Sequence, residues 1–438
     1  MKASTSGRYG LGICAAVVVL CGCSGLRAAM PISPPLANPQ NVRSQTGSGF
    51  QSLHDFSGTP DGSFPLGGLV AVNGTLYGTT SVGGSTKGAT CARFGCGVVF
   101  EISKSGSEHI LYGFKGSSDG AQPQGSLTEL DGALYGTTTY GGSGCQTSGG
   151  CGTVFKISLT GTEHVIYRFR GRTDGVSPQY NESLLAYKGA LYGTTGGGGS
   201  YHDGTVYEVT PSGKERVLHS FGKNLEKDGA GPTGNLIAYE GTLYGSAYSF
   251  GKGNAGVVFA ITTSGKERIL YNFQGGSDGA EPNALIAVNG VFYGTTTYGG
   301  SSNCYGGCGT VFALTPSGEE SVIYRFQGGS GDGANPGSGI SLVTVTHHKG
   351  VLYGTTDDGG CPGGSPSGLC GTVFAVSTSG VENVLFNFQG FSNGFFPSAP
   401  LVSTGRMLYG TTYAGGESCY DSGGTGGSGC GTVFSISP

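Results

Sequence analysis

Ten cysteines in the body of the chain fall into five local pairs. Each pair lies between a copy of the motif LYGTT and a copy of the motif GTVF, and its second cysteine directly precedes the glycine that opens GTVF. Two further repeats contain no cysteine in this stretch, so every repeat has both cysteines or neither. This pattern favours disulfides, because an unpaired cysteine would be a reactive thiol in an oxidising compartment. The predicted disulfides are Cys91–Cys96, Cys145–Cys151, Cys304–Cys308, Cys361–Cys370 and Cys419–Cys430.

Neither the cysteines nor the acidic residues predict a metal site. Zinc needs converging ligands, whereas these cysteine pairs lie in separate repeats. Carboxylates recur in the motif Asp-Gly-x-x-Pro, but one carboxylate per motif is too few for the about six to eight oxygens that calcium takes. Asp before Gly is a common turn former, and Asn393 takes its place once. We expect no metal, no cofactor and an architectural role for Asp61, Asp119, Asp174, Asp228, Asp278 and Asp332.

Tyrosines and one histidine are the candidates for ligand binding. They lie just after LYGTT or in the loop that follows it, among small polar residues. A tyrosine ring combines an apolar face with a hydroxyl group, which suits recognition of sugars or peptides. The alternative is that these rings pack the loops, and the absence of Trp weakens the case for a sugar platform. The candidates are Tyr140, Tyr201, His202, Tyr248, Tyr298 and Tyr413, with Tyr305 and Tyr420 in equivalent loops.

No catalytic residues are predicted. His202 stands beside Asp203, and His347 beside His348, but neither pair belongs to a recognisable catalytic set. The sequence has no serine nucleophile elbow, metalloprotease helix or phosphate-cradling loop. The acid and base of a glycosidase cannot be assigned among carboxylates that recur in turns. Lys and Arg are scattered over a chain of net charge -4, so nucleic acid is not an expected partner.

The elements that position these residues belong to a repeat that occurs seven times. Each unit reads as four short strands of alternating or apolar character, separated by turns that contain Gly. Seven four-stranded units predict an all-β fold, a seven-bladed β-propeller with four antiparallel strands per blade. The LYGTT copies start at Leu76, Leu134, Leu191, Leu243, Phe292, Leu352 and Leu408.

The repeat starts and stops out of phase. Residues 51–56 read as a fourth strand that precedes the first LYGTT, and residues 431–436 read as a third strand with no fourth strand after it. Pairing of the two would complete one blade and cover an exposed edge. We therefore predict a single propeller domain over residues 49–438, closed by the N-terminal strand beside the C-terminal strand.

Residues 1–22 are typical of a targeting segment. An apolar stretch over residues 11–22, too short for a permanent membrane helix, ends in the sequence LCGC. This ending resembles the lipobox of bacterial lipoproteins, which implies cleavage before Cys23, a lipid on its thiol and an outer-membrane location. An ordinary secretory cleavage farther along is the alternative. Residues 23–48 are rich in Pro and predict an irregular tether.

The order LYGTT, Gly-Gly loop, GTVF, Ser-Gly turn, apolar strand ending in Phe, then Asp-Gly-x-x-Pro resembles the GloVer tandem-repeat family of bacterial surface proteins. The match covers about residues 50–438. The Gly-Gly after the second strand is also similar to kelch blades, although the kelch Trp is missing. The family implies anchoring to the cell surface but no established activity.

The sequence favours a lipid-anchored, extracytoplasmic propeller that acts as a monomer and binds a glycan, a peptide or a partner protein. An extracytoplasmic enzyme acting on glycans, as a hydrolase or lyase, is the first alternative. A passive envelope scaffold without a ligand is the second. By the logic of the repeat, what recurs in every unit is structural, and function lies where the units differ.

Overall fold

The computed structural model describes residues 49–84, 91, 94–145, 149–178, 183–337, 343–344, 350–361, 370–390, 392–416 and 429–438. In these ranges the chain forms seven four-stranded antiparallel sheets arranged as the blades of a propeller. The predicted all-β, seven-bladed fold is confirmed. The predicted signal peptide, Cys23 and the tether lie outside the described residues, as do His347, His348, Cys419 and Tyr420.

The strands are numbered along the chain. Within each blade, the first, second, third and fourth strands lie side by side in that order. The first strands are β2 (Val70–Val72), β6 (Thr128–Leu130), β10 (Leu185–Tyr187), β14 (Ala230–Tyr239), β18 (Ala280–Val288), β23 (Val343–Thr344) and β28 (Val402–Thr404). The second strands are β3 (Thr75–Thr80), β7 (Ala133–Thr138), β11 (Ala190–Thr195), β15 (Thr242–Ser249), β19 (Val291–Tyr298), β24 (Val351–Thr356) and β29 (Met407–Thr412).

The outer half of each blade consists of its third and fourth strands. The third strands are β4 (Val98–Ile102), β8 (Thr153–Ser158), β12 (Thr205–Val209), β16 (Val257–Thr262), β20 (Thr310–Leu314), β26 (Thr372–Ser377) and β30 (Thr432–Ile436). The fourth strands are β5 (Glu108–Gly113), β9 (Glu163–Arg168), β13 (Glu215–Ser220), β17 (Glu267–Asn272), β21 (Glu320–Arg325), β27 (Glu382–Asn387) and, in blade 7, β1 (Gln51–Asp55).

Short elements interrupt the regular pattern. A two-stranded ladder joins β22 (Gly333–Ala334) to β25 (Asp358–Gly359) in blade 6. A four-residue helix, α1 (Leu225–Asp228), and a 3-10 turn over Gly276–Asp278 lie after fourth strands. The sequence pattern predicts no helix in the repeats, and α1 is too short to leave a helical period.

The two ends of the chain meet in blade 7. β1 pairs antiparallel with β30, from Gln51 opposite Ser435 to Asp55 opposite Thr432. This blade therefore takes three strands from the C-terminus and its outermost strand from the N-terminus. Without β1, the polar backbone groups of β30 on that side would have no strand partner.

The motif LYGTT follows from the packing of the second strand. In blade 2, Leu134 is fully buried, and a Cβ on Gly136 would lie 2.6 Å from Cζ of Phe155, so only Gly fits under that ring. Thr138 Oγ1 lies 2.8 Å from Thr153 Oγ1 in the third strand. In blade 1, the first Thr of the motif, Thr79, donates to the carbonyl of Gly125 in the next blade at 3.1 Å. Each residue type therefore has a separate packing role.

The core lies between blades. Each of seven apolar clusters combines residues from two neighbouring blades. The Phe after each fourth strand meets the aromatic ring of the third strand in the next blade at 5.0–5.2 Å between centroids, edge to face. This contact, repeated at every seam between blades, explains why each unit keeps that Phe.

Four of the predicted disulfides are present: Cys91–Cys96, Cys145–Cys151, Cys304–Cys308 and Cys361–Cys370. The fifth includes Cys419, outside the described residues, and stays a prediction. Four disulfides indicate an oxidising, extracytoplasmic environment. Within the described ranges, no helix is both long and apolar enough to cross a membrane.

Candidate functional site

One face of the propeller gathers two kinds of connection. Loops that join second to third strands, the 2–3 loops, meet the 4–1 turns, which lead from a fourth strand into the next blade. Isolated bridges join them, as between Ala121 and Tyr140 or between Phe395 and Ala414. We call this the upper face. It carries the disulfides and the Asp-Gly-x-x-Pro motifs, and it is where the units differ most in sequence.

Exposed aromatic rings concentrate on this face. Among the described residues, seven large apolar side chains are exposed, and six of these are aromatic rings on the 2–3 loops of blades 1–5 or, for Tyr248, at the end of the strand that leads into one. Tyr305 is the extreme case, 98% exposed. The seventh, Val381, lies in the opposite, 3–4 connection of blade 6. We name the six the aromatic rim: Phe94, Tyr140, Tyr201, Tyr248, Phe250 and Tyr305.

The predicted ligand-binding residues divide into two groups. Tyr140, Tyr201 and Tyr248 are 39–43% exposed on the rim, and His202 is exposed beside Tyr201. Tyr298 and Tyr413 are half-buried. The exposed candidates lie in separate blades, so they decorate a broad surface and do not form one pocket. Sequence reasoning passed over Phe94 and Phe250, although Phe250 lies two residues after the chosen Tyr248 and Phe94 lies in the equivalent loop of blade 1.

Tyr413 belongs to an apolar corner where blade 7 meets blade 1. Its ring stacks on Phe64 at 4.8 Å between centroids and lies 6.4 Å from the ring of Phe396. Phe396 in turn lies 5.3 Å from the ring of Phe395. Four aromatic side chains therefore meet where the chain enters the first strands of these two blades.

Phe64 and Phe396 share an unusual backbone position. Both directly precede the Pro of the 4–1 motif, and both have positive φ, 58° and 54°. The other units keep this conformation with different side chains: Gln122, Ser177, Gly231, Glu281 and Asn335. A left-handed backbone is costly for residues other than Gly, and such strain often accompanies functional positions. This position therefore has the same backbone conformation in every blade, whereas its side chain differs from blade to blade.

Acidic groups occupy the upper face of blades 5 and 6. Burial raises the pKa of Glu281. Burial, with the charge of Asp358 second, raises the pKa of Asp357 to about 7, and burial raises the pKa of Asp358 to about 6. Asn335 Nδ2 donates to Asp358 Oδ2 at 3.1 Å. Carboxyl groups that hold a proton near neutral pH have the property required of a general acid. Sequence reasoning passed over Asp357 and Asp358, although they occur in one unit only, because their burial cannot be read from the sequence.

The Asp-Gly-x-x-Pro carboxylates act as turn formers, as predicted. Asp278 accepts the backbone N–H of Gln274 at 2.7 Å, and Asn393 accepts that of Gln389 at 2.9 Å in the same way. Each Asp has a second partner that the sequence analysis did not find. The residue two before the final Phe, a Tyr or His, binds the Asp side chain, as Tyr271 does with Asp278 at 2.8 Å.

A Glu at the start of the next blade's fourth strand completes each set. Tyr167 Oη lies 2.7 Å from Asp174 Oδ2 and 3.3 Å from Glu215 Oε2. Burial, with the neighbouring Asp charge second, raises the pKa of Glu163, Glu215 and Glu320 to about 7. We call these sets seam triads. They are His54–Asp61–Glu108, Tyr112–Asp119–Glu163, Tyr167–Asp174–Glu215, His219–Asp228–Glu267, Tyr271–Asp278–Glu320 and Tyr324–Asp332–Glu382.

A small cavity lies between blades 2 and 3. Its volume is about 10 Å³, and Thr137, Thr194 and Tyr207 are among the residues that line it. This space holds about one water molecule. This cavity is therefore too small for an organic ligand.

Comparison with known proteins agrees with this architecture. The sequence pattern of the Gloeobacter/Verrucomicrobia repeat matches residues 42–180 and 89–307, which together span more than half of the chain. No curated protein matches the sequence.

Solved structures with a similar fold are distant in sequence. Streptogramin B lyase is 12% identical with a TM-score of 0.53, and the match covers 88% of this chain and 97% of that chain. A candidate 6-phosphogluconolactonase from Bacteroides uniformis is 12% identical with a TM-score of 0.45, covering 78% of this chain and 88% of that chain. At this identity the first likeness supports the propeller fold alone.

Proposed function

The chain belongs to the Gloeobacter/Verrucomicrobia repeat family, and from that premise we propose that it is an extracytoplasmic binding module. Its ligand is a glycan, a peptide or a partner protein that contacts the aromatic rim of the upper face. The protein acts as a monomer held at the outer membrane by a lipid on Cys23.

The distribution of the exposed rings carries this proposal. Apolar side chains exposed singly need no explanation, but of the seven large exposed ones among the described residues, six lie on one face and all six are aromatic. Tyr and Phe provide large contact areas with few rotatable bonds, and they are enriched where proteins bind ligands. The loops that carry them are held by disulfides in blades 1, 2 and 5, so these loops lose less conformational entropy on binding.

A binding screen tests the proposal. The full chain is applied to a glycan array and to a peptide library, beside a variant with Val381→Ser on the opposite face. Saturable binding shared by both proteins is expected, because Val381 is remote from the rim. Absence of saturable binding to every probe would favour the passive scaffold.

The lipid anchor has its own test. Cells expressing the full chain are fed a labelled fatty acid, with a Cys23→Ala variant as control. Label is expected on the protein and not on the variant. Label retained by the variant, or a secreted and unlabelled wild-type protein, would contradict the anchor and favour ordinary secretion.

A glycan-active enzyme is the second candidate, and one observation favours it. Asp357 and Asp358 hold raised pKa values of about 7 and about 6 on the same face as the rim. Turnover of a glycan by the wild-type chain, lost in Asp357→Asn but kept in the seam variant Asp278→Asn, would show this activity. Equal turnover in both variants, or none in the wild type, would remove the carboxyl pair as a catalytic candidate.

A further inference from the structure

We propose that His219, Asp228 and Glu267 bind a transition-metal dication, with Zn²⁺ as the ion that best fits one imidazole and two carboxylates. The three side chains form the seam triad between blades 3 and 4. Their potential ligand atoms all lie within 4.8 Å of one another. Among the described residues this is the one set of three His, Cys, Asp or Glu side chains that converges so closely.

The ligands are held by different elements. His219 lies in β13, Asp228 ends α1, and Glu267 opens β17 of the next blade. His219 Nε2 lies 2.7 Å from Asp228 Oδ1, while Asp228 Oδ2 accepts the backbone N–H of Gly222 at 2.8 Å and of Lys223 at 3.2 Å. These bonds fix the Asp228 carboxylate and hold one of its oxygens toward the imidazole. Fixed ligand orientation of this kind is characteristic of metal sites.

Burial supports the same assignment. Asp228 is 6% exposed, and the His219 side chain is 19% exposed. Glu267 Oε1 is buried and has no hydrogen-bond partner among the described residues, a property that it shares with the corresponding Glu of the other five seam triads. A buried acceptor without a partner is costly, and a bound cation would satisfy it.

The sister seams show what is particular to this one. Four triads have a Tyr where His219 stands, and its hydroxyl donates to the Asp. A neutral phenol can donate that bond but offers little to a metal, whereas a neutral imidazole offers a lone pair on Nε2. The exchange of Tyr for His therefore supplies a possible ligand, and of the two seams that have a His, only the one with His219 brings three ligand atoms within 4.8 Å of one another among the described residues.

The surroundings of this seam depart from the repeat as well. It joins the two blades whose 2–3 loops lack cysteine. Asp203 stands in blade 3 where the disulfide-bearing units have their second Cys, and its Oδ2 fills the space that a Cβ on Gly222 would need. A third carboxylate thus lies against the residue that binds Asp228. The sequence analysis predicted no metal site because it judged each Asp motif alone, without the His nine residues before it.

Zn²⁺ titration of the full, untagged chain tests the proposal. After removal of bound metal by a chelator, calorimetry is expected to show one Zn²⁺ per chain. The variant His219→Tyr restores the residue that four sister seams accept, so the fold should persist. Its Zn²⁺ affinity is expected to fall by about 100-fold or more, since a direct ligand is lost. Glu267→Gln, a second variant, should also weaken binding.

Matched controls separate this site from other histidines. His54→Tyr makes the same exchange at the seam of His54, Asp61 and Glu108, and it should leave Zn²⁺ binding unchanged. No Zn²⁺ binding by the wild type would overturn the proposal, as would binding that survives His219→Tyr. Ca²⁺ binding as tight as Zn²⁺ binding would also overturn it, because an imidazole ligand disfavours calcium.

Discussion

Phe50 lies face to face on Phe386, with ring centroids 3.9 Å apart and ring planes 2° apart. Phe50 directly precedes β1 in blade 7, and Phe386 lies in β27 of blade 6. In the seam triads these two positions hold a Glu and a Tyr or His, and the Asp of the triad is replaced here by Asn393. At this seam two stacked rings thus replace the Glu and the Tyr or His, and the uncharged Asn393 replaces the Asp. The N-terminal segment is therefore tied to blade 6 as well as to β30.

Phe50→Ala should destabilise the propeller by about 2 to 3 kcal/mol, because it removes a packed ring from the noncovalent contact that ties the N-terminal segment to blade 6. The measurement is the free energy of unfolding by urea. Removal of ten residues of the tether before Ser48 is the control and should leave that free energy unchanged. Equal effects of the two changes would contradict a closing role for Phe50.

Gly136→Ala should cost about 2 kcal/mol, since its Cβ would lie 2.6 Å from Phe155 and overpack the blade. Gly113→Ala is the matched control, because a Cβ on Gly113 meets nothing within 4 Å. Thermal unfolding of both variants compares them. A double variant with Phe155→Leu should recover part of the loss, and full additivity would contradict the proposed clash.

Stability should fall as pH rises through 7. Burial first, and the neighbouring Asp second, raises the pKa of Glu163, Glu215, Glu320 and Glu382 to about 7 in the folded chain. A raised carboxyl pKa means that the folded state holds the proton more tightly than the unfolded state. The stabilisation that comes from this tighter proton binding is complete below the unfolded pKa near 4.5, and it is lost as pH rises through 7.

Glu320→Gln isolates one such group. The free energy of unfolding of the variant should exceed that of the wild type by on the order of 1 kcal/mol at pH 8 and by little at pH 5, because the amide of Gln cannot ionise. Glu319→Gln, its exposed neighbour, is the control and should follow the wild-type pH profile. The measurement compares the unfolding midpoints of both variants with that of the wild type from pH 5 to 8. A pH-independent difference for Glu320→Gln would contradict the assignment.

Loss of one disulfide should weaken the fold without abolishing it. Cys304 and Cys308 close a loop with a sequence separation of 4, so replacing both by Ser should cost about 2 kcal/mol in the chain-entropy model. The seam packing of Phe326 on Phe374 does not depend on this loop. Circular dichroism should keep its β-sheet spectrum while the unfolding midpoint falls. Loss of the spectrum would show that the disulfide is required for folding.

The strands were predictable from sequence because their alternation and turn glycines recur in every unit. Gly106 and Gly161, for example, adopt the expected positive φ of 89° and 86°. The seam triads were not predicted, since Tyr112 and Asp119 gain their third member, Glu163, only when the next blade is packed beside them. Phe50 lies one residue outside the predicted strand, so its stack on Phe386 also needed the three-dimensional arrangement.

The candidate site was predictable in place but not in detail. Repetition indicated that function lies in the loops, and Tyr140, Tyr201 and Tyr248 are exposed there. The partial burial of Tyr298 could not be read from sequence, because Tyr298 and the exposed Tyr140 both end a copy of the sequence YGTTTY. Which of two equivalent rings reaches solvent depends on the loops that pack around it.

Binding through the aromatic rim is tested most directly with a surface variant. A ligand found with the wild-type chain is titrated against a variant carrying Tyr140→Ser, Tyr201→Ser and Tyr248→Ser, and against Val381→Ser on the opposite face. The rim variant should bind about tenfold or more weakly while keeping the wild-type unfolding midpoint. Val381→Ser should bind as the wild type does. Unchanged affinity of the folded rim variant would contradict the proposed function.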